Sequence, residues 1–228
     1  MKKSTFTHLL IVTFVLLSAV ESHAQFKVGV RGGVNVANFK PNAIFDYDNR
    51  VGVNVALLFN KTLNSKLSIQ FEPGLSQRGA QYDYVTEGPV DGKTMKTEET
   101  GKFLLNFIEM PVLVQWKPRI GKFTGIVSLG PEVRYRVGNA RQKYTSKITY
   151  DGVVSKDESG VVDMQEGFGK RAFDYGIAGG VGVAYPMKSV AVFTEARYHL
   201  GLRPVVKSLN MYHRGPSFHL GVLVPLKK

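Results

Sequence analysis

From residue 26 to residue 226 the chain alternates apolar residues with polar or small ones at a period of two, the signature of β-strands with two unlike faces. Phe26, Val28, Val30, Val34 and Val36 oppose Lys27, Gly29, Arg31, Gly33 and Asn35; Val51 to Phe59 repeats the pattern, with Leu58 breaking its polar face. The third run, Leu67 to Ser76, carries Pro73, which removes a ladder donor and predicts a bulge or bend. In the fourth, residues 101–117, the apolar parity moves from Phe103, Leu105 and Phe107 to Ile108, Met110, Val112, Val114 and Trp116, and predicts a bulge near Phe107 and Ile108. Further runs cover Phe123 to Val137, Phe173 to Tyr185, Val190 to Tyr198 and Phe218 to Leu226. The run from Phe173 to Tyr185 places aromatic residues at both ends and aliphatic ones between, as interfacial girdles require.

The connections alternate in length. Short links fall at 60–65, 118–121 and 186–189; long ones, expected to be loops, fall at 38–49, 80–100, 138–169 and 202–214. Short turns on one side and long loops on the other suit an outer-membrane barrel, and eight strands in up-and-down order put both termini in the periplasm and the long loops outside the cell. The expected fold is all-β: an eight-stranded antiparallel up-and-down transmembrane β-barrel spanning residues 25–228. A soluble sandwich or lipocalin-like barrel shares the alternation but hides its aliphatic face. Full charges in mid-strand on the polar face, together with the girdles, favour the membrane barrel.

Composition adds a leader and removes some chemistry. Lys2 and Lys3, the apolar run Leu9 to Leu17 and Ser22-His23-Ala24 form a secretory signal peptide over residues 1–24, too short to span a bilayer as a helix. The later chain has no apolar stretch of helix-spanning length, so it enters a membrane only as a closed barrel. There is no cysteine, which excludes disulfides and thiolate chemistry. The formal charge is +12. In an exported chain such a surplus points to solvated loops, outer-membrane lipid or lipopolysaccharide, with nucleic acid excluded as a partner.

Placed inward, the polar faces bring together Lys27, Arg31, Arg134, Arg136 and Arg197 with Glu72, Glu109, Glu132, Asp174 and Glu195. A barrel of eight strands is just filled by its own side chains, so these groups are expected to pair into a plugged interior. The alternatives are a small channel through the carboxylates, or an outer-membrane enzyme acting on lipid or peptide. Ser76, Ser128 and Ser217 with His199 and His219 supply nucleophiles and bases for the latter, although no spacing singles out a triad. His199, His213 and His219 have no metal-ligand spacing, and the paired glycines sit inside strands with no helix following, so neither a metal nor a phosphate-bound cofactor is expected. Arg141, Lys143 and Lys147, with Tyr144 and Tyr150, form a basic stretch near the expected level of lipopolysaccharide.

Five segments, Gly32 to Asn35, Phe71 to Gly79, Phe107 to Val114, Gly130 to Val133 and Phe173 to Gly176, resemble the PorT-like family of outer-membrane β-barrel proteins, with Ile108-Glu109-Met110-Pro111 the most specific. The resemblance implies an eight-stranded monomeric barrel and links it, through the family's founding member, to protein secretion and envelope partners. It implies no catalytic residue. The ending Pro225-Leu226-Lys227-Lys228 departs from the terminal aromatic residue of many such barrels. The expected function is non-enzymatic: a structural, binding or secretion-accessory role exercised through the outer loops.

Overall fold

The computed structural model describes residues 26–40, 47–164, 172–204 and 211–226; the expected signal peptide and parts of three expected loops lie outside them. Among the described residues, twelve strands form one antiparallel sheet: β1 (Phe26–Lys40), β2 (Asp48–Thr62), β3 (Leu67–Phe71), β4 (Gly74–Arg78), β5 (Ala80–Val90), β6 (Lys93–Trp116), β7 (Arg119–Ile120), β8 (Phe123–Tyr150), β9 (Val153–Asp163), β10 (Phe173–Pro186), β11 (Ala191–Gly201) and β12 (Tyr212–Pro225). Pairing runs β1, β2, β3 with β4, β6, β8, β10, β11, β12, and returns from β12 to β1, closing a barrel of eight staves.

Burial settles which face is inside. On β2, Val51, Val53, Val55 and Leu57 point outward at 53–65 % exposure, while Asn54, Ala56 and Asn60 are buried. Four such side chains left in water would cost roughly 6–12 kcal/mol, a cost that hydrocarbon removes. A soluble barrel would reverse the two faces. Outward aromatics mark both margins of the aliphatic band: Phe123 and Tyr135 on β8, Tyr185 and Tyr175 on β10. Along strands tilted by about 45°, these separations correspond to a height of roughly 23–28 Å, close to the ~25 Å apolar band of outer-membrane barrels.

Two expectations are corrected. Residues 80–100 and 138–169 are not loops for most of their length. β5 turns into β6 at Asp91-Gly92 and β8 into β9 at Asp151-Gly152, with all four turn residues at positive φ (51°, 76°, 47° and 81°). Glycine, and aspartate more than most residues, tolerates that conformation, and two such residues in succession match the twist of a two-residue hairpin. The upper parts of β6 and β8 also pair with each other, Met95 opposite Tyr150 through Leu104 opposite Arg141, so β5, β6, β8 and β9 form a four-stranded blade projecting from one rim.

The second correction concerns the bulge. β6 alternates without a break through Phe107 and Ile108, with Phe103, Leu105, Phe107, Glu109, Leu113 and Gln115 all buried. What changes at that point is the chemistry of the interior, from apolar to polar, which moves the apolar residues to the opposite parity. The register shift lies higher, between Leu104 and Asn106, where β8 takes up two extra residues around Gly138. At Pro73 the ladder is interrupted between β3 and β4, but the register against β6 is the same on both sides.

The interior is therefore layered. Toward the blade, Phe39, Tyr47, Ala80, Phe103, Leu105, Phe107, Ala140 and Met211 form an apolar cluster. Toward the short turns, Leu58, Ile126, Phe193 and Leu223 form another, which explains why Leu58 breaks the polar pattern of β2. Polar and charged side chains fill the space between them.

Candidate functional site

Glu72, held between β3 and β4 by the interruption at Pro73, is the centre of one charged group. Its carboxylate accepts from Arg31 Nε at 2.7 Å, from both terminal nitrogens of Arg197 at 2.9 and 3.0 Å, and from Gln70 at 2.7 Å. Arg197 also donates to Glu195 at 2.9 Å, Ser128 donates to Glu195, and Arg31 donates to Asn54. Two cations thus meet two anions, all of them buried.

A second group joins Arg78 to Glu109, and Arg134 to Glu132, Glu109 and Asp174. Charged hydrogen bonds are worth about 1.5–3 kcal/mol each, and groups taken out of water persist only when their lone pairs and protons are satisfied in this way. Polar side chains extend the network: Asn35 donates to Ser76, Asn54 to Asn35, and Asn60 to Gln70 and Gln115.

Eight of the ten residues expected inside are buried there: Arg31, Glu72, Glu109, Glu132, Arg134, Asp174, Glu195 and Arg197. Lys27 and Arg136 are only half-buried, near opposite rims. Arg78 joins the network without having been expected. Its parity is that of Glu72, Gly74 and Ser76, and carrying the alternation one step further would have found it.

The fold also assembles a constellation that no sequence spacing announces. His199 Nδ1 lies 2.7 Å from Glu132 Oε2, and His199 Nε2 lies 2.8 Å from Ser217 Oγ, bringing together β8, β11 and β12. With Nδ1–H donating to the carboxylate, Nε2 accepts from the serine hydroxyl, as in a nucleophilic triad. The surroundings do not suit that chemistry. All three residues are at most 2 % exposed, Glu132 is also committed to Arg134, and His213 packs against Phe39 and Phe107 at 5.2 Å in the apolar layer. Ser217 lies in ladder register with Asn35 and Arg197 on either side, so local backbone donors are engaged in the sheet and are not aimed at an oxyanion.

The blade has two distinct faces. The one continuous with the barrel interior carries Tyr82, Tyr84, Tyr144 and Tyr150, with Glu99 accepting from Tyr82 at 2.8 Å and Tyr84 at 2.6 Å, and Gln142 donating to Tyr82 at 2.6 Å. Burial first, and then the hydrogen bond to Glu99, push the Tyr82 phenol up to about 12; the bond to Glu99 also raises Tyr84. The outward face, continuous with the lipid-facing wall, carries Lys96, Glu98, Lys102, Arg141, Lys143 and Lys147. At its base, Asp48, Gln81, Asp83, Thr100, Lys102 and Lys143 border a groove of about 470 Å³.

Among solved structures, the chain is similar to Neisserial surface protein A (10 % identity, TM-score 0.44, covering 90 % of this chain and all of that one). It is also similar to OprG from Pseudomonas aeruginosa (13 %, 0.41, 91 % and 99 %) and to Ail from Yersinia pestis in complex with the heparin analogue sucrose octasulfate (12 %, 0.38, 90 % and 100 %). No curated protein matches. The closed barrel agrees with the sequence-family comparison: the model of the outer membrane protein beta-barrel domain matches residues 20–207, and the chain belongs to that family.

Proposed function

We propose that this protein is a sealed, non-enzymatic barrel of the bacterial outer membrane that works as a binding or accessory component through its blade, with both termini periplasmic and the blade outside the cell. The observation that carries this reading is the layered interior: two apolar clusters enclose a network of paired charges and leave the projecting sheet as the part offered to partners. The arrangement favours neither conduction nor turnover. A finer affiliation, to PorT-like barrels with a role near protein secretion, draws support from where the resembling segments lie. Glu72, Glu109, Glu132 and Asp174 each belong to one, and β4, β6, β8 and β10 bring those segments side by side around the second ion group.

Because the chain lacks cysteine, single-cysteine variants test the topology directly. Ser155→Cys in the blade is expected to react with a membrane-impermeant maleimide on intact cells, and Ser65→Cys in a short turn only after the outer membrane is opened. The reverse pattern refutes the orientation. Purified protein in planar bilayers is expected to give no conductance steps; discrete steps would refute the sealed interior.

A further inference from the structure

We infer that the outward base of the blade binds a phosphorylated sugar of an outer-leaflet glycolipid, with Lys102 and Lys143 as the phosphate ligands, an inference that rests on the orientation proposed above. The argument starts from charge, row by row, across the outward face. Arg141 faces Asp163; Lys147 lies between Glu98 and Asp157; Lys96 bonds Glu98 at 2.6 Å beside Glu87. Each of these cations has an acid beside it.

The row Gln81, Lys102, Lys143, Val161 is different. Its two lysines stand directly opposite one another, with an amide and a valine as their outer neighbours, and neither makes an ion pair within 4 Å among the described residues. Like charges directly opposite across a ladder are unfavourable, and an anion held between the two lysines would relieve them.

Height narrows the choice of anion. Ile108 on β6 is opposite Tyr135, which stands at the blade-side girdle, and Lys102 lies six residues further along the same strand. At a rise of about 3.3 Å per residue and a tilt of about 45°, the lysines stand roughly 14 Å above the girdle. The headgroup layer adds only about 5–8 Å on each side of the hydrocarbon. The pair therefore lies beyond the phosphodiesters of a phospholipid, at the level of sugars attached to a lipid.

The groove lining fits a sugar as well as a phosphate. Lys102 and Lys143 lie on its β6 and β8 side; Asp48, Asp83 and Gln81 lie on its β2 and β5 side, where they can accept hydrogen bonds from sugar hydroxyls, and Thr100 and Thr145 add hydroxyls between. A bare phosphate would gain from the lysines but be repelled by the aspartates. A phosphorylated sugar uses both sides.

The test uses the full folded protein in phosphatidylcholine nanodiscs doped with rough-type lipopolysaccharide, with bound glycolipid counted by native mass spectrometry. Lys102→Gln with Lys143→Gln is expected to weaken binding about tenfold or more, the scale of losing one or two charged hydrogen bonds. Enzymatic dephosphorylation of the glycolipid is expected to do the same to the wild type. Lys156→Gln, on the other face and bonded to Glu158, is expected to leave binding unchanged. Heat-modifiable gel mobility checks that every variant is folded. Equal binding by the double variant, or by dephosphorylated glycolipid, overturns the inference. The Ser155→Cys labelling keeps the two failures apart: labelled cells with equal binding sink this site alone, and unlabelled cells sink the orientation and the site together.

Discussion

Replacing Glu72 with glutamine tests the ion network at its centre. The amide keeps the shape of the carboxylate but cannot neutralise Arg31 and Arg197, residues only 4 % and 2 % exposed. Three charged hydrogen bonds are lost or weakened, at 2.7, 2.9 and 3.0 Å. Breaking one partner out of a buried ion pair typically costs about 3–5 kcal/mol. Here Arg197 keeps Glu195 and Arg31 keeps Asn54, which places the expected loss near the lower end, about 3 kcal/mol. The companion variant, Glu72→Gln with Arg197→Met, leaves Arg31 and Glu195 in the group and restores the balance of one cation to one anion. It is expected to be less destabilised than the sum of the single variants by about 2 kcal/mol, a coupling within the usual range for residues in one network. Urea titration of the barrel in detergent micelles measures both, followed through Trp116, the single tryptophan, which sits half-exposed on the outer wall and shifts its emission when it leaves the apolar phase. A loss below 1 kcal/mol for Glu72→Gln, or strict additivity in the double variant, would show that the network does not hold the interior together.

Ser217 is expected to resist fluorophosphonate labelling in the folded barrel despite its hydrogen bond to His199, and Ser217→Ala to keep the heat-modifiable mobility of the wild type. Labelling of folded protein that disappears in Ser217→Ala would turn the buried constellation into a working nucleophile and refute the non-enzymatic reading. Tyr82 supplies a pH prediction. Its folded value, about 12, lies above its ordinary value of 10.0, so the neutral phenol favours the folded blade fully below the ordinary value, and that contribution fades as pH rises through the folded one. In an alkaline titration of phenolate absorbance, Tyr82→Phe should remove a late-titrating component; an unchanged late phase would contradict the burial of Tyr82 and its bond to Glu99.

The strands, the aromatic margins and most of the inward charges are legible in the sequence because a closed barrel imposes one alternation on every stave. The blade is not, because its two faces are both wet. Threonine, lysine, glutamate and tyrosine fill them in a mixture that also describes a loop, and the signals that distinguish the two are the Asp91-Gly92 and Asp151-Gly152 dipeptides, each flanked by strand formers. The place of the bulge is hidden for a different reason. Apolar parity marks the inner face only where the interior keeps one kind of chemistry, whereas Phe107 and Glu109 point into the same barrel at two levels. Glu132, His199 and Ser217 meet only through the ladder registers of β8, β10, β11 and β12, so nothing short of the pairing itself could bring them together.

The length of β6 and β8 has a mechanical meaning. Strands of 24 and 28 residues run from the membrane wall to the blade tip without a linker, so the projecting sheet and the barrel form one stiff beam. A pull on the tip is carried along two continuous strands, loading many hydrogen bonds in shear at once, and it reaches the barrel rim instead of being absorbed by slack chain. The irregularity around Gly138, where β8 takes up its extra residues just above the lipid-facing band, is the place where such a beam would bend. A partner that grips the blade thereby leans directly on the membrane wall.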